Sequence, residues 1–124
     1  MLQCIGTNLR NLPALLSVLE HIECETNRLT CLPVLIDNLK SLRCSIKPIT
    51  DFTDFYHSLK KAAQVETLKC HDIGLQILIF LPPSLEYFDC HSNRLGVLTP
   101  LPKSLLSLKC HQNQLEALPT TLEL

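Results

Sequence analysis

Six of the seven cysteines stand at regular intervals, and this spacing restricts the fold more than any other feature of the chain. The intervals between them are 20, 20, 26, 20 and 20 residues, and the six are Cys4, Cys24, Cys44, Cys70, Cys90 and Cys110. An apolar residue stands two positions before each of them, and others stand five and eight positions after. Such a repeat is typical of a solenoid, in which each unit buries its apolar face against its neighbours.

Each unit divides into two halves. Around the cysteine, apolar and polar residues alternate, which predicts a short strand with the cysteine and the apolar residue two before it pointing inward. The other half contains prolines, as in LPPSLEYF from Leu81 to Phe88. Proline cannot donate a ladder hydrogen bond, so this half is predicted to return as extended or polyproline-like chain. Stacked units then align their strands in one parallel sheet.

The unit has the consensus L-x-x-L-x-C-x-x-N-x-L-x-x-L-P, with the asparagine present as Asn27, Asn93 and Asn113. This pattern resembles the leucine-rich repeat, with cysteine in the third apolar position. The short unit and its proline-bearing half are similar to the repeats of YopM-like and IpaH-like bacterial secreted effectors. The resemblance covers residues 1–124, which form one domain of five full repeats and a partial sixth.

The resemblance implies an α/β repeat solenoid with a parallel β-sheet on its concave face and a mostly extended convex side. In the family, the asparagine amide bridges successive turns. The resemblance to secreted effectors also implies a biological setting, in which a bacterial effector acts in a host cell.

The third unit departs from the pattern, since the 26 residues from 44 to 69 include the segment TDFTDFYHSLKKAAQ. Its apolar residues recur at helical spacing, at Phe52, Phe55, Tyr56, Leu59 and Ala63. We therefore expect one amphipathic helix over residues 51–64, on the convex side.

The inward cysteines are predicted to serve packing. Adjacent strands lie about 4.8 Å apart, slightly too far for the Cβ separation of about 3.5 to 4.5 Å that a disulfide needs. A buried thiol behaves as a small apolar group with little thiolate. Cys31 lies outside the strand register and is expected to be the most reactive thiol of the chain.

Outward strand positions supply the candidate binding residues. They form a mixed polar surface with one aromatic side chain, of the kind that suits a protein partner on the concave face. The candidates are His21, Glu23, Arg43, Lys69, His71, Tyr87, Asp89, His91, Lys109 and His111.

Three of these candidates, His71, His91 and His111, are predicted to stack on adjacent strands. This row of histidines has three alternative interpretations. It is an ordinary polar face, a surface that recognises a partner in a pH-dependent way, or a metal site or histidine-assisted enzyme. Asp89 is the nearby carboxylate that could join a metal site, but Lys69 and Lys109 would repel a divalent cation. We therefore predict no metal site.

Composition limits the function further. Eleven Lys and Arg balance twelve Asp and Glu, which disfavours nucleic acid as a partner. With three glycines and no recognisable catalytic motif, we predict neither catalytic residues nor a cofactor, and hence a noncatalytic interaction module.

The sequence also gives expectations about location and assembly. The apolar run from Ile77 to Leu81 is too short to cross a membrane, so no insertion is expected. We expect a cytoplasmic protein, or one exported to a host cytosol by a signal not visible in the sequence. Neither end carries a recognisable cap, which predicts a fragment of a larger repeat protein or self-association through the ends.

Overall fold

The computed structural model describes residues 1–4, 6, 8, 10, 18–25, 37–44, 53–78 and 80–118. Within them the chain forms a parallel β-solenoid, whose single sheet has six strands paired in the order of the sequence. The strands are β1 (Leu2–Gln3), β2 (His21–Cys24), β3 (Ser41–Cys44), β4 (Thr67–Lys69), β5 (Tyr87–Asp89) and β6 (Ser107–Lys109). Every neighbouring pair is parallel, so the chain must cross over between successive strands, as the repeat spacing predicts.

The register of the sheet follows the repeat. Ile22 is paired with Leu42, and Leu68 is paired with Phe88, each one unit further along the chain. Leu42 is paired with Leu68 across the longer third unit, so the greater length of that unit leaves the register of the sheet unchanged. The alignment of the units on their cysteines is therefore confirmed.

Cysteines form a column inside the solenoid. Cys24, Cys44, Cys70 and Cys90 are buried, and all cysteines of the described residues are free thiols, as predicted. Burial is the main reason that the pKa of Cys90 is raised to about 12, with further contributions from Cys110 and Asp89. A thiol of this kind carries almost no thiolate at neutral pH, which agrees with a packing role.

The predicted helix is present but shorter than expected. Helix α1 spans Thr53–Lys61, and the first two residues of the predicted range lie outside the described residues. Tyr56 and Leu59 are buried as expected, and the Tyr56 hydroxyl donates to the carbonyl of Ile77 in the next coil. The prediction was wrong beyond Lys61, where a turn begins in which the N–H of Ala62 bonds to the Leu59 carbonyl.

This turn also changes which alanine is inside. The sequence pattern placed Ala63 on the buried face, whereas Ala63 is exposed and Ala62 is fully buried. The helical period ends with the helix, so a spacing counted beyond Lys61 no longer describes one face.

Asparagine side chains join successive coils. The Asn93 carbonyl accepts hydrogen bonds from the N–H groups of Ile73 (3.1 Å) and Leu75 (3.0 Å), and its amide donates to the carbonyls of Cys70 (3.0 Å) and Cys90 (2.9 Å). Asn113 repeats the arrangement one coil later. The predicted bridge is confirmed at both positions, and Asn27 lies outside the described residues.

A left-handed residue turns the chain after three of the strands. Asp72, Ser92 and Gln112, each two positions after a repeat cysteine, have φ of 56°, 55° and 54°. Gly6 holds the equivalent position in the first unit, with φ of 68°. Glycine adopts this conformation without the steric cost that other residues carry.

Candidate functional site

The outward side chains of the sheet fall into three rows that run across the strands. The charged row stands one residue before each repeat cysteine and contains Gln3, Glu23, Arg43, Lys69, Asp89 and Lys109. The tyrosine row stands two residues earlier and contains His21, Ser41, Thr67, Tyr87 and Ser107. The histidine row follows the cysteines and contains His71, His91 and His111. All the candidates predicted from sequence lie in these rows, and each is at least partly exposed.

Ionic contacts occupy one half of the charged row. Glu23 accepts a hydrogen bond from the Gln3 amide (2.9 Å) and forms an ion pair with Arg43 (Nη1 to Oε1, 3.4 Å). The Nε–H of Arg43 is buried and has no acceptor within the described part of the chain. Lys69 and Lys109 form no ion pair with any described residue. Positive charge is therefore least compensated toward β4 and β6.

Asp89 lies between these two lysines on β5 and is held by His91. Its Oδ1 accepts hydrogen bonds from the His91 backbone N–H (3.2 Å) and from ring atom Nδ1. Because a carboxylate only accepts, the ring carries a proton on Nδ1. Burial raises the pKa of Asp89, but the hydrogen bonds from His91 and the charges of His91 and His71 outweigh it, so that the pKa is lowered overall.

The histidine row is a stack of rings, as predicted. The ring centroids of His71 and His91 are 4.6 Å apart at an interplanar angle of 13°, and those of His91 and His111 are 4.6 Å apart at 6°. One end of the stack contacts the residue that follows β2, since Glu25 Oε1 lies 3.4 Å from His71 Nε2. Stacked rings place their nitrogen lone pairs in parallel planes, which do not converge on one point. Among the described residues, no group of three or more His, Cys, Asp or Glu is arranged to hold a metal ion.

A shallow pocket of about 330 Å³ lies over β3 to β6, where the charged and tyrosine rows meet. Five of the predicted candidates line it: Arg43, Lys69, Tyr87, Asp89 and Lys109. The structure thus gathers half of the candidates around one space. The other five lie on the same face but outside the pocket: His21, Glu23, His71, His91 and His111.

Three residues that belong to this surface were missed by the sequence analysis. Thr67 and Ser107 line the pocket on either side of Tyr87, and Glu25 contacts the histidine row. The register carried the signal for all three, since Thr67 and Ser107 hold the position of Tyr87 in their units and Glu25 holds that of His71.

Together, the fold and the surface define a parallel β-solenoid repeat protein with a polar, mixed-charge sheet face. No helix among the described residues has the length and apolar character to cross a membrane. No protein-family model matches the chain, and no curated protein matches it.

Proposed function

We propose that this chain is a noncatalytic protein-binding module of the leucine-rich repeat type, which receives a protein partner on the outward rows of its sheet. The observation that carries the proposal is the pocket where the charged and tyrosine rows meet. Four strands contribute to it, so that a partner segment lying across the strands contacts several repeats at once.

The composition of the pocket favours a protein partner. Tyr87 is 48% exposed although strands pair with β5 on both sides, and Arg43 lines the same space. Tyrosine and arginine are among the residues that most often dominate the energy of protein interfaces. Threonine, serine and lysine side chains around them provide the polar rim typical of such surfaces.

A capture experiment with face-specific variants tests the proposal. The immobilised native chain is compared with a triple variant of the pocket, Arg43→Ala, Lys69→Ala and Tyr87→Ala. The matched control replaces exposed lysines outside the pocket, Lys60→Ala and Lys103→Ala. We expect a protein that is retained by the native chain and the control and lost from the triple variant. Equal retention by all three would refute binding through this face.

The short repeat unit gives the proposal a biological setting. Its similarity to the repeats of bacterial secreted effectors suggests that the partner is a host protein, so a host-cell lysate is the first material for capture. Retention of a partner from a bacterial lysate alone would contradict this setting and leave the binding surface itself unaffected.

A second candidate function uses the histidine row. The Asp89 carboxylate on Nδ1 of His91 is the kind of contact that orients a histidine ligand toward a metal. The parallel ring planes argue against this candidate, because zinc needs ligands that converge tetrahedrally. Titration of the chain with zinc by calorimetry, against the His91→Ala variant, tests it, and an absence of binding heat removes it.

A further inference from the structure

The lysines of the pocket lack the compensation that its other charges have. Arg43 is paired with Glu23, and Asp89 is bound by His91. Lys69 and Lys109 stand on either side of Asp89 and have no ion-pair partner in the part of the chain that the structure describes. A ligand that brings negative charge to these two ammonium groups is therefore electrostatically complementary to the pocket.

The spacing of the lysines restricts the backbone of that ligand. Lys69, Asp89 and Lys109 are paired on consecutive strands, so the two lysines stand two strand spacings apart, about 9.6 Å. In a polyproline II helix, residues i and i+3 point the same way and stand about 9.3 Å apart. An extended strand presents residues on one face at about 6.6 Å and then about 13 Å. The polyproline II repeat is the one that matches.

An α-helical ligand fits less well. Its residues i and i+7 stand about 10.5 Å apart, but a helix with side chains is about 10 Å wide. The pocket is shallow and has a volume of about 330 Å³, which suits a single extended chain better than a helix.

We propose that the pocket binds an acidic peptide segment in the polyproline II conformation, with carboxylates three residues apart that pair with Lys69 and Lys109. This inference rests on the proposed function, since it names the chemistry of the partner segment received by the same face. The segment lies across the strands, from β4 to β6.

Other groups of the pocket support this mode of binding. Tyr87 offers an exposed aromatic ring, and aromatic-lined grooves are a common docking surface for polyproline II segments. Arg43 lines the same pocket with a side chain that is 39% exposed, and its guanidinium has further N–H groups that can donate to a carbonyl of the ligand.

Asp89 gives the pocket selectivity. It lies opposite the two ligand residues between the carboxylates, because it stands midway between the lysines. A further carboxylate at either position would face Asp89 and be repelled. The pocket is therefore expected to prefer acidic residues spaced by two uncharged residues over a continuous acidic run.

The test measures binding of three labelled peptides to the full chain by fluorescence anisotropy. The probe EPPEPPEPP carries carboxylates at the required spacing in a polyproline II sequence. One control, QPPQPPQPP, keeps the backbone and removes the charge, and the other, EEEPPPPPP, keeps the charge and changes the spacing. We expect the probe to bind about tenfold more tightly than the uncharged peptide, and more tightly than the continuous acidic one.

Variants of the chain assign the effect to the pocket. Lys69→Gln and Lys109→Gln are each expected to weaken binding of the probe about two- to fivefold, the range for an exposed ion pair. The matched control Lys103→Gln, at an exposed lysine outside the pocket, is expected to leave it unchanged. Asp89→Asn is expected to improve binding of EEEPPPPPP more than that of the probe.

Three results would overturn the proposal: equal affinity for the charged and uncharged peptides, unchanged affinity in both pocket lysine variants, or no binding of any peptide. If one of these is found while capture of a protein partner still depends on Arg43, Lys69 and Tyr87, the proposed function stands and the ligand chemistry is wrong. If capture is also independent of these residues, both are wrong.

Discussion

Replacing Asn93 by alanine removes the side chain that joins the coils of β4 and β5. Asn93 is 8% exposed, and four of its hydrogen bonds have lengths between 2.9 and 3.1 Å. Alanine leaves the N–H groups of Ile73 and Leu75 and the carbonyls of Cys70 and Cys90 without these partners. Each lost hydrogen bond lowers stability by about 1 kcal/mol, so we expect a loss of about 3 to 5 kcal/mol in the free energy of unfolding.

Asn113→Ala is the matched control, because Asn113 makes a similar set of bonds on the next coil. It accepts from a single backbone N–H, that of Leu95, and it is more exposed than Asn93. Water can replace part of what is lost there, so we expect a smaller loss of about 1 to 2 kcal/mol.

Urea unfolding followed by circular dichroism measures both losses. Hydrogen exchange adds a local measurement, since the amides of Ile73 and Leu75 donate to Asn93 and should lose protection in Asn93→Ala before the remaining coils do. A loss below about 1 kcal/mol for Asn93→Ala would refute the view that this amide holds the coils together, and equal losses in the two variants would contradict the predicted effect of burial.

Other perturbations test the core, the site and the turns. Thiol labelling at pH 8 should modify half-buried Cys110 before Cys90, because the Cys90 pKa of about 12 leaves about one thiolate in ten thousand. Equal labelling rates, measured by mass spectrometry, would contradict the buried column of cysteines. The pKa of Asp89 is lower in the folded chain than in the unfolded chain, so its carboxylate stabilises the fold at pH values above the unfolded-state pKa. The difference in stability between the native chain and Asp89→Asn should therefore shrink as pH falls from about 5 to 2, and a constant difference would exclude this linkage. Gln112→Gly should raise stability by about 0.5 kcal/mol, because glycine tolerates φ of 54° and this gain exceeds the loss of the exposed hydrogen bond that Ser92 Oγ donates to Gln112 Oε1. A lower melting temperature would disprove it.

The period of the cysteines predicted the sheet because a solenoid leaves few alternatives for a repeated unit. Once Cys24 and Cys44 hold equivalent positions, the pairing of Ile22 with Leu42 follows. Alternation around each cysteine then separates the inward side chains from the outward ones. The register and the alternation together predict which residues belong to each outward row. These include Thr67 and Ser107, which were overlooked.

Contacts within and between the rows could not be read from the period. The binding of Asp89 by His91 depends on side-chain rotation, and Lys69 and Lys109, which are equally close to Asp89 in register, form no ion pair with it. The end of α1 is a similar case, since local turn bonds stop the helix although its sequence continues with helix-forming residues.

Sequence alone determined the repeat, the register and the division into inward and outward side chains, because these depend on a periodic pattern of burial that every unit shares. Tertiary structure decided which outward residues form the pocket, which charges neutralise each other, and where α1 stops. These depend on distances between side chains of different coils, and the spacing of residues along one chain does not fix such distances.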